Sequence, residues 1–259
     1  MELHHVENFR RWFDAYVNRF FGEDEYVNVH LRLKYEHTQR TCEEILLLAE
    51  PLALDDDQKR VAEVIALFHD VGRFPQFAEY RTFDDTRSVD HGRLAVEVLR
   101  REGVLTALRR EERQWVETAI EHHGRKAIPA DLRGRTLLFA KLIRDADKLD
   151  IFRVILEKYR LFREDPGGCP LEIPFPDSPE YSPEVIQSVL NGQLVEYPQL
   201  RTLNDVILCQ IGWVYDMNFA ASLAQVRDRG ILDQLFDALP QTADIARLRT
   251  QVCEYVDTR

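Results

Sequence analysis

An apolar run that ends in two adjacent polar residues constrains this chain more than any other feature. Residues 64–68, Val-Ile-Ala-Leu-Phe, are followed directly by His69 and Asp70. Apolar side chains around most of a helix predict that neighbouring elements cover it. An imidazole and a carboxylate at the end of a buried helix both need partners, and a divalent cation suits both. Gly72 and Pro75 follow, and we expect the helix to end there without resuming.

Other nitrogen and oxygen donors lie where their helices should face the core. One histidine follows an apolar residue by one turn, a second opens the apolar stripe of residues 94–99, and a histidine pair continues the stripe of residues 115–120. Asp147 interrupts the apolar stripe of residues 140–154, and a buried carboxylate without a partner costs several kcal/mol. Each residue alone fits an ordinary helix end or core position, but inward donors on successive helices favour a metal site. These donors are His37, His91, His122, His123 and Asp147.

The order of these residues resembles the signature of the HD superfamily of metal-dependent phosphohydrolases. That signature consists of a histidine, a His-Asp pair and a later aspartate, which here are His37, His69-Asp70 and Asp147. The resemblance covers about residues 30–165 and includes the Ala-Asp-Lys-Leu context of Asp147. It implies an all-α fold, an HD-domain helical bundle, to which this chain adds a C-terminal helical extension.

Two further histidines match the additional ligands of the two-metal branches, which include HD-GYP phosphodiesterases and diadenosine-tetraphosphate hydrolases of the YqeK type. The Gly-Tyr-Pro segment of HD-GYP proteins is absent here, because residues 124–129 read Gly-Arg-Lys-Ala-Ile-Pro. Leu33 stands where three-metal members have an acid, so we expect no third metal. The resemblance implies two divalent ions (Mn, Fe, Mg, Ni or Zn) with Asp70 as the bridging ligand. The implied ligands are His37, His69, Asp70, His91, His122 and Asp147.

The resemblance also implies an activity, namely hydrolysis of a phosphate ester or anhydride in a small nucleotide-like substrate by a metal-bridged hydroxide. Arg73 occupies the position of a phosphate-facing lysine in related proteins, and a guanidinium can bind two phosphate oxygens there. His123 could donate to the leaving oxygen, contact phosphate, or replace His122 as the metal ligand. Lys148 could reach the pocket or pair with an acid. The catalytic candidates are Asp70, Arg73, His123 and Lys148, and the candidate phosphate contacts are Arg73, Arg125 and Lys126.

Two other function classes stay open from the sequence. Some HD-fold proteins with the same histidine-aspartate set hold two irons and activate oxygen, and the ligand types do not distinguish such an oxygenase from a hydrolase. The other class is a ligand-sensing module that keeps the pocket without turnover, and the intact donor set counts against it.

Composition limits the partners. The chain has 259 residues with a formal net charge of −11, so a long nucleic acid would be repelled, and a small phosphorylated or nucleotide-like substrate is expected instead. The four cysteines show no CxxC spacing and no secretory leader is visible, which predicts a cytoplasmic protein. The aliphatic run at residues 45–49 is too short to span a membrane. A homodimer is possible.

The proline-rich residues 166–183 predict a connector between an HD metal-binding helical domain at 1–165 and a helical subdomain at 184–259 that covers the cleft. Asp55 should cap a helix, and a loop at 74–88 should shape the pocket mouth. We interpret the aromatic residues of 213–219 as core rather than as a surface that stacks on substrate. The other predicted helices cover residues 6–21, 28–50, 184–191, 203–219, 230–239 and 243–257.

Overall fold

The computed structural model describes residues 1–165 and 175–259, and every regular element in these ranges is a helix. This confirms the all-α class. Residues 166–174, half of the predicted connector, lie outside the described ranges. The α-helices are α1 (Leu3–Val17), α2 (Glu25–Ala49), α3 (Asp56–Phe68), α4 (Arg73–Tyr80), α5 (His91–Arg101), α6 (Arg110–His122), α7 (Gly134–Glu164), α8 (Pro183–Leu190), α9 (Leu203–Gly212), α10 (Ala220–Asp228), α11 (Ile231–Asp237) and α12 (Ala243–Asp257).

The chain divides into two compact units, Met1–Asp150 and Ile151–Arg259. The division lies inside α7, whereas the proline-rich segment had suggested a boundary after residue 165. A helix can cross such a division because its backbone hydrogen bonds are local and continue whatever surrounds them. The role of the second unit as a cover over the cleft stays a prediction.

Helix α3 lies at the centre of the first unit and packs against α1, α2 and α6. All residues from Val64 to Phe68 are at most 1% exposed, so the apolar run is covered as predicted. The Phe68 ring meets Phe9 and Trp12 of α1 edge-on, at 5.6 and 5.7 Å between ring centroids, an arrangement that aromatic pairs favour. This packing fixes the position of the end of α3 and of the His-Asp pair that follows it.

The start of α3 is also as predicted. The Asp55 side chain accepts a hydrogen bond from the Gln58 backbone N–H, and the Gln58 Oε1 accepts one from the Asp55 backbone N–H. This capping box satisfies donors that have no partner inside the helix.

The expectation that no helix resumes after Gly72 is wrong, because α4 begins at Arg73 and contains Pro75. Proline is tolerated there, since the first turn of a helix has no internal partners for its N–H groups. Gly72 has a φ of −68°, so left-handed backbone does not explain it. A methyl group at Gly72 would lie 2.3 Å from the His91 carbonyl oxygen and 2.7 Å from the Ala95 nitrogen. Glycine is needed here for the close approach of α5.

Other predicted boundaries shift slightly. Helix α1 ends at Val17 and continues as a 3-10 turn over Asn18–Phe20, and α10 was not predicted. In the second unit α9 ends at Gly212 and residues 213–216 form a 3-10 turn. The Trp213 ring packs against Phe152 at 5.5 Å and Val214 is buried, in line with the core interpretation of this segment.

Candidate metal centre

Four histidines bring their Nε2 atoms to one point inside the first unit. His37 lies within α2, His91 opens α5, and two others follow directly on α3 and α6. The His37 and His69 Nε2 atoms are 3.2 Å apart, and those of His91 and His123 are 3.0 Å apart. All four residues are at most 5% exposed. The histidines thus form two pairs within one buried cluster.

The opposite ring nitrogen of each histidine has its own acceptor. The Nδ1 of His69 donates to the Ala66 carbonyl at 2.7 Å, and the Nδ1 of His123 donates to the Ile120 carbonyl at 2.7 Å. Both acceptors are the carbonyl three residues earlier, which the end of a helix leaves without an internal partner.

In the other two histidines the Nδ1 acceptor is a carboxylate. His37 donates to Asp150 and His91 donates to Asp85, each at 2.6 Å. A histidine whose Nδ1 carries the proton presents a lone pair at Nε2 when the ring is neutral. Two lone pairs that face one another at about 3 Å repel each other, and a cation between them would remove that repulsion.

Asp70 divides its two carboxylate oxygens between the histidine pairs. Its Oδ2 lies 3.7 Å from the Nε2 of both His37 and His69. Its Oδ1 lies 3.5 Å from the Nε2 of His91 and 3.6 Å from that of His123. One carboxylate therefore faces two neighbouring positions, each lined by a pair of imidazoles.

Asp147 completes the first of these positions. Its Oδ1 lies 3.0 Å from the His37 Nε2 and 3.8 Å from the His69 Nε2. The Asp147 side chain is 16% exposed, against 3% for Asp70. The cluster is therefore more open to solvent at Asp147.

The spacing of the donors fits metal coordination. Ligand bonds of about 2.0–2.2 Å at angles of about 90–110° place neighbouring donor atoms about 3.0–3.4 Å apart, and the paired nitrogens have this separation. Among the described residues, the groups of donors that could hold one ion are His37-His69-Asp70, His69-His123-Asp147 and Asp70-His91-His123. Asp70 belongs to two of them.

His123 joins this cluster, and His122 does not. The expected ligand set had named His122, with His123 as the alternative. The His122 side chain is half-buried, and its Nδ1 has no hydrogen-bond partner within the described ranges. Because α6 ends at His122, a stripe drawn on an ideal helix did not show which of the two neighbours turns inward.

Burial and neighbouring charges shift the pKa values of several cluster residues. Burial and the Lys34 charge disfavour the protonated His37 ring, yet Asp147 and Asp150 outweigh them and raise the pKa of His37. Burial lowers the pKa of His69 to about 3. Although burial opposes ionisation of Asp70, the nearby Lys34 and His69 hold its pKa well below its usual range. Asp147, beside the same histidines, also has a lowered pKa. The carboxylates are therefore ionised and His69 is neutral, which are the forms that bind a metal.

Two supporting carboxylates were missed in the sequence. Asp150 is fully buried and accepts two hydrogen bonds from Arg40, at 2.6 and 3.0 Å, besides the bond from His37. Its position three residues after Asp147, on the same side of α7, was a usable signal. Asp85 lies in the segment between α4 and α5, where no periodicity indicates which way a side chain points.

Arg73 contacts acceptors of its own segment, and its expected role as a phosphate contact stays a prediction. Its Nη1 donates to Gln76, to the Phe83 carbonyl and to Asp85, at 2.6 to 2.8 Å. Its Nε lies 3.5 Å from the Asp70 Oδ1 and has no hydrogen-bond partner in the described part of the chain. The guanidinium thus ties the Asp85 segment to the cluster.

The remaining basic candidates lie less directly at the cluster. Arg125 is near two acids, Glu121 at 3.2 Å and Asp90 at 3.7 Å, and Lys126 is exposed. Lys148 is half-buried next to Asp147. Their roles as catalytic or phosphate contacts stay predictions.

The comparison with protein families agrees with the geometry. The model of the HD domain family matches residues 35–151. Residues 35–151 form an HD domain. The match contains both histidine pairs, Asp70 and Asp147, and its end nearly coincides with the end of the first unit. Searches of the curated proteins and of the solved structures returned no match. Within the described ranges, no helix has the length and apolar character needed to cross a membrane.

Proposed function

We propose that the HD domain of this protein binds two divalent cations and hydrolyses a phosphate ester or anhydride of a small, nucleotide-like molecule. The observation that carries this proposal is the division of the Asp70 carboxylate, with Oδ2 toward one histidine pair and Oδ1 toward the other. A shared carboxylate between two sets of imidazoles is the arrangement that a two-metal hydrolytic site needs.

The first cation would be held by His37, His69, Asp147 and the Asp70 Oδ2. The second would be held by His91, His123 and the Asp70 Oδ1, with His123 in the place that the sequence had suggested for His122. Two such cations would supply the chemistry of a two-metal site, a lowered pKa for a coordinated water and polarisation of a phosphoryl group.

The protein's own residues prepare the site for this chemistry. The Nδ1 hydrogen bonds hold each imidazole in one orientation and one tautomer, so the rings lose little conformational entropy when a cation binds. Asp147, whose side chain is 16% exposed, marks the side from which a small substrate would reach the buried cluster. The net charge of −11 supports a small phosphorylated substrate rather than a long polyanion.

The proposal is tested first by the metal content of protein purified without added metal or chelator. We expect about two equivalents of divalent metal per chain in the wild type and one or none in Asp70→Asn. A screen of phosphomonoesters, phosphodiesters and nucleotides should show metal-supported hydrolysis by the wild type and less or none by Asp70→Asn.

A matched pair of variants tests the assignment of the ligand. His122→Gln and His123→Gln change adjacent residues of the same type, of which only the second lies in the cluster. We expect His123→Gln to lose about one metal equivalent and His122→Gln to lose none. Equal metal content in Asp70→Asn and wild type would rule out the bridged site. Iron as the bound metal, together with oxygen consumption, would favour the oxygenase alternative.

A further inference from the structure

A lysine that the sequence did not single out contacts the bridging carboxylate. Lys34 lies three residues before His37 on α2, and residues at this spacing share a helix face. Its Nζ donates to the Asp70 Oδ2 at 2.8 Å, and its side chain is 19% exposed. The Nζ also lies 5.4 Å from the centre of the Phe83 ring.

This ion pair competes directly with a metal. The Asp70 Oδ2 that accepts from Lys34 is the oxygen that faces His37 and His69. A divalent cation between these donors would take the same carboxylate lone pairs and would repel an ammonium group held so close. Metal binding would therefore leave Lys34 without its carboxylate partner.

The chain offers Lys34 few other partners. Among the described residues its ammonium group donates a hydrogen bond to Asp70 and lies over the Phe83 ring. An ammonium group has three donors on a flexible four-carbon stem, and only one of them is used by Asp70. Arg73, the residue first expected to face phosphate, has its Nη1 occupied by three acceptors of its own segment.

We propose that Lys34 is the residue that binds a phosphoryl oxygen of the substrate once metal has displaced it from Asp70. This inference rests on the proposed two-metal site and adds the group that recognises the phosphate. The ligand class is a phosphate monoester or anhydride, whose non-bridging oxygens carry the charge that a compact ammonium group binds.

Lys34→Met tests this role because it removes the charge and keeps most of the side-chain length. Lys59→Met is the matched control, since the Lys59 side chain is 26% exposed and pairs with Glu50 at 2.7 Å. Lys59 lies in the first turn of α3, ten residues before His69 and about 15 Å away along the helix. Inorganic phosphate is the probe, titrated calorimetrically into each metal-loaded protein after the metal itself has been titrated into each metal-free protein.

We expect Lys34→Met to weaken phosphate binding by about 10- to 100-fold, the effect of losing one hydrogen bond to a charged group. The same variant should bind metal more tightly than wild type, because no ion pair has to break first. Lys59→Met should match wild type in both titrations. Opposite effects on metal and phosphate distinguish a phosphate contact from general damage to the fold, which would weaken both.

The outcomes separate the two proposals. If wild type binds metal and phosphate and Lys34→Met binds phosphate equally well, the role of Lys34 is wrong and the metal site stands. If Lys34→Met loses metal as well as phosphate, Lys34 only supports the structure, and the inference is also overturned. If wild type binds no metal, the proposed function fails and the inference fails with it.

Discussion

Each histidine of the cluster is oriented by the acceptor at its Nδ1, and the acceptors are of two kinds. In each pair one ring donates to a carboxylate and the other to a backbone carbonyl. A carboxylate acceptor makes the imidazole a stronger metal ligand than a neutral carbonyl does. The two histidine pairs therefore have the same combination of Nδ1 acceptors, although Asp150 is fully buried and Asp85 is 34% exposed.

This arrangement predicts that the outer carboxylates act on separate metal positions. Asp85→Asn keeps the size of the side chain and removes its charge, so the position at His91 and His123 should lose about 10- to 100-fold in metal affinity. The position at His37 and His69 should be unchanged. A two-step calorimetric titration of metal into metal-free protein measures both affinities.

Asp150→Asn serves as the comparison for this experiment. It should lower the metal affinity of the position at His37 and His69 instead. Equal weakening of both steps by either variant would show that the two positions are not independent, contrary to the division of the Asp70 oxygens.

Gly124 supports the second pair through its lack of a side chain. A methyl group there would lie 2.9 Å from the His91 Cε1 and 3.2 Å from the His91 Nε2. Gly124→Ala should therefore displace the ring and weaken metal binding at that position, with a stability loss below about 1 kcal/mol because residue 124 is exposed. Gly22→Ala is the control, since a methyl group at Gly22 meets no atom within 4 Å. Unchanged metal affinity in Gly124→Ala would count against His91 as a ligand.

At the scale of elements, the cluster is assembled largely at helix ends. His69 and His123 directly follow α3 and α6, and His91 is the first residue of α5. Helix ends leave carbonyls free to accept from the Nδ1 atoms. The close contact of α5 with the backbone at Gly72 joins the two halves of the cluster.

Pro75 gives a prediction at this scale. Because it lies in the first turn of α4, it removes no helical hydrogen bond and restricts only the unfolded chain. Pro75→Ala should reduce the free energy of unfolding by about 0.4–1 kcal/mol, measured by urea denaturation. An increase in stability would mean that proline strains this turn.

At the scale of the whole molecule, buried titratable groups couple stability to pH. The pKa of His69 falls from 6.5 in its ordinary state to about 3 in the folded protein because the ring is fully buried. Between these values the unfolded chain binds a proton that the folded chain does not. The stability of the metal-free protein should therefore fall as pH decreases through this window.

The raised pKa of His37 affects the free energy of unfolding at higher pH. Its contribution to stability is fully present below about pH 6.5 and is lost as pH rises through its folded pKa. Between about pH 5 and pH 6, the His69 effect on unfolding free energy amounts to about 1 kcal/mol. Urea denaturation with chelator present should show a correspondingly smaller pH dependence in His69→Gln. An identical slope in both proteins would contradict the lowered pKa of His69.

Periodicity along the chain was enough to predict an all-α protein and inward positions for His37, His91 and Asp147. These predictions succeed because apolar spacing within one helix determines which side faces the core. The His-Asp pair was predictable for the same reason, since the run before it is apolar on most sides. The extent of α4 was not predictable, because a helix tolerates Pro75 only if it begins within a turn before that residue.

The sequence by itself determined the helical class, the order of the donors and the HD signature, because these depend on residues close together in the chain. Only the tertiary structure showed that His123, and not its neighbour His122, lies in the cluster, since the two are adjacent and α6 ends between them. It also brought Asp85 and Lys34 to the cluster. Their positions depend on how separate elements pack, and no local pattern in the chain records that packing.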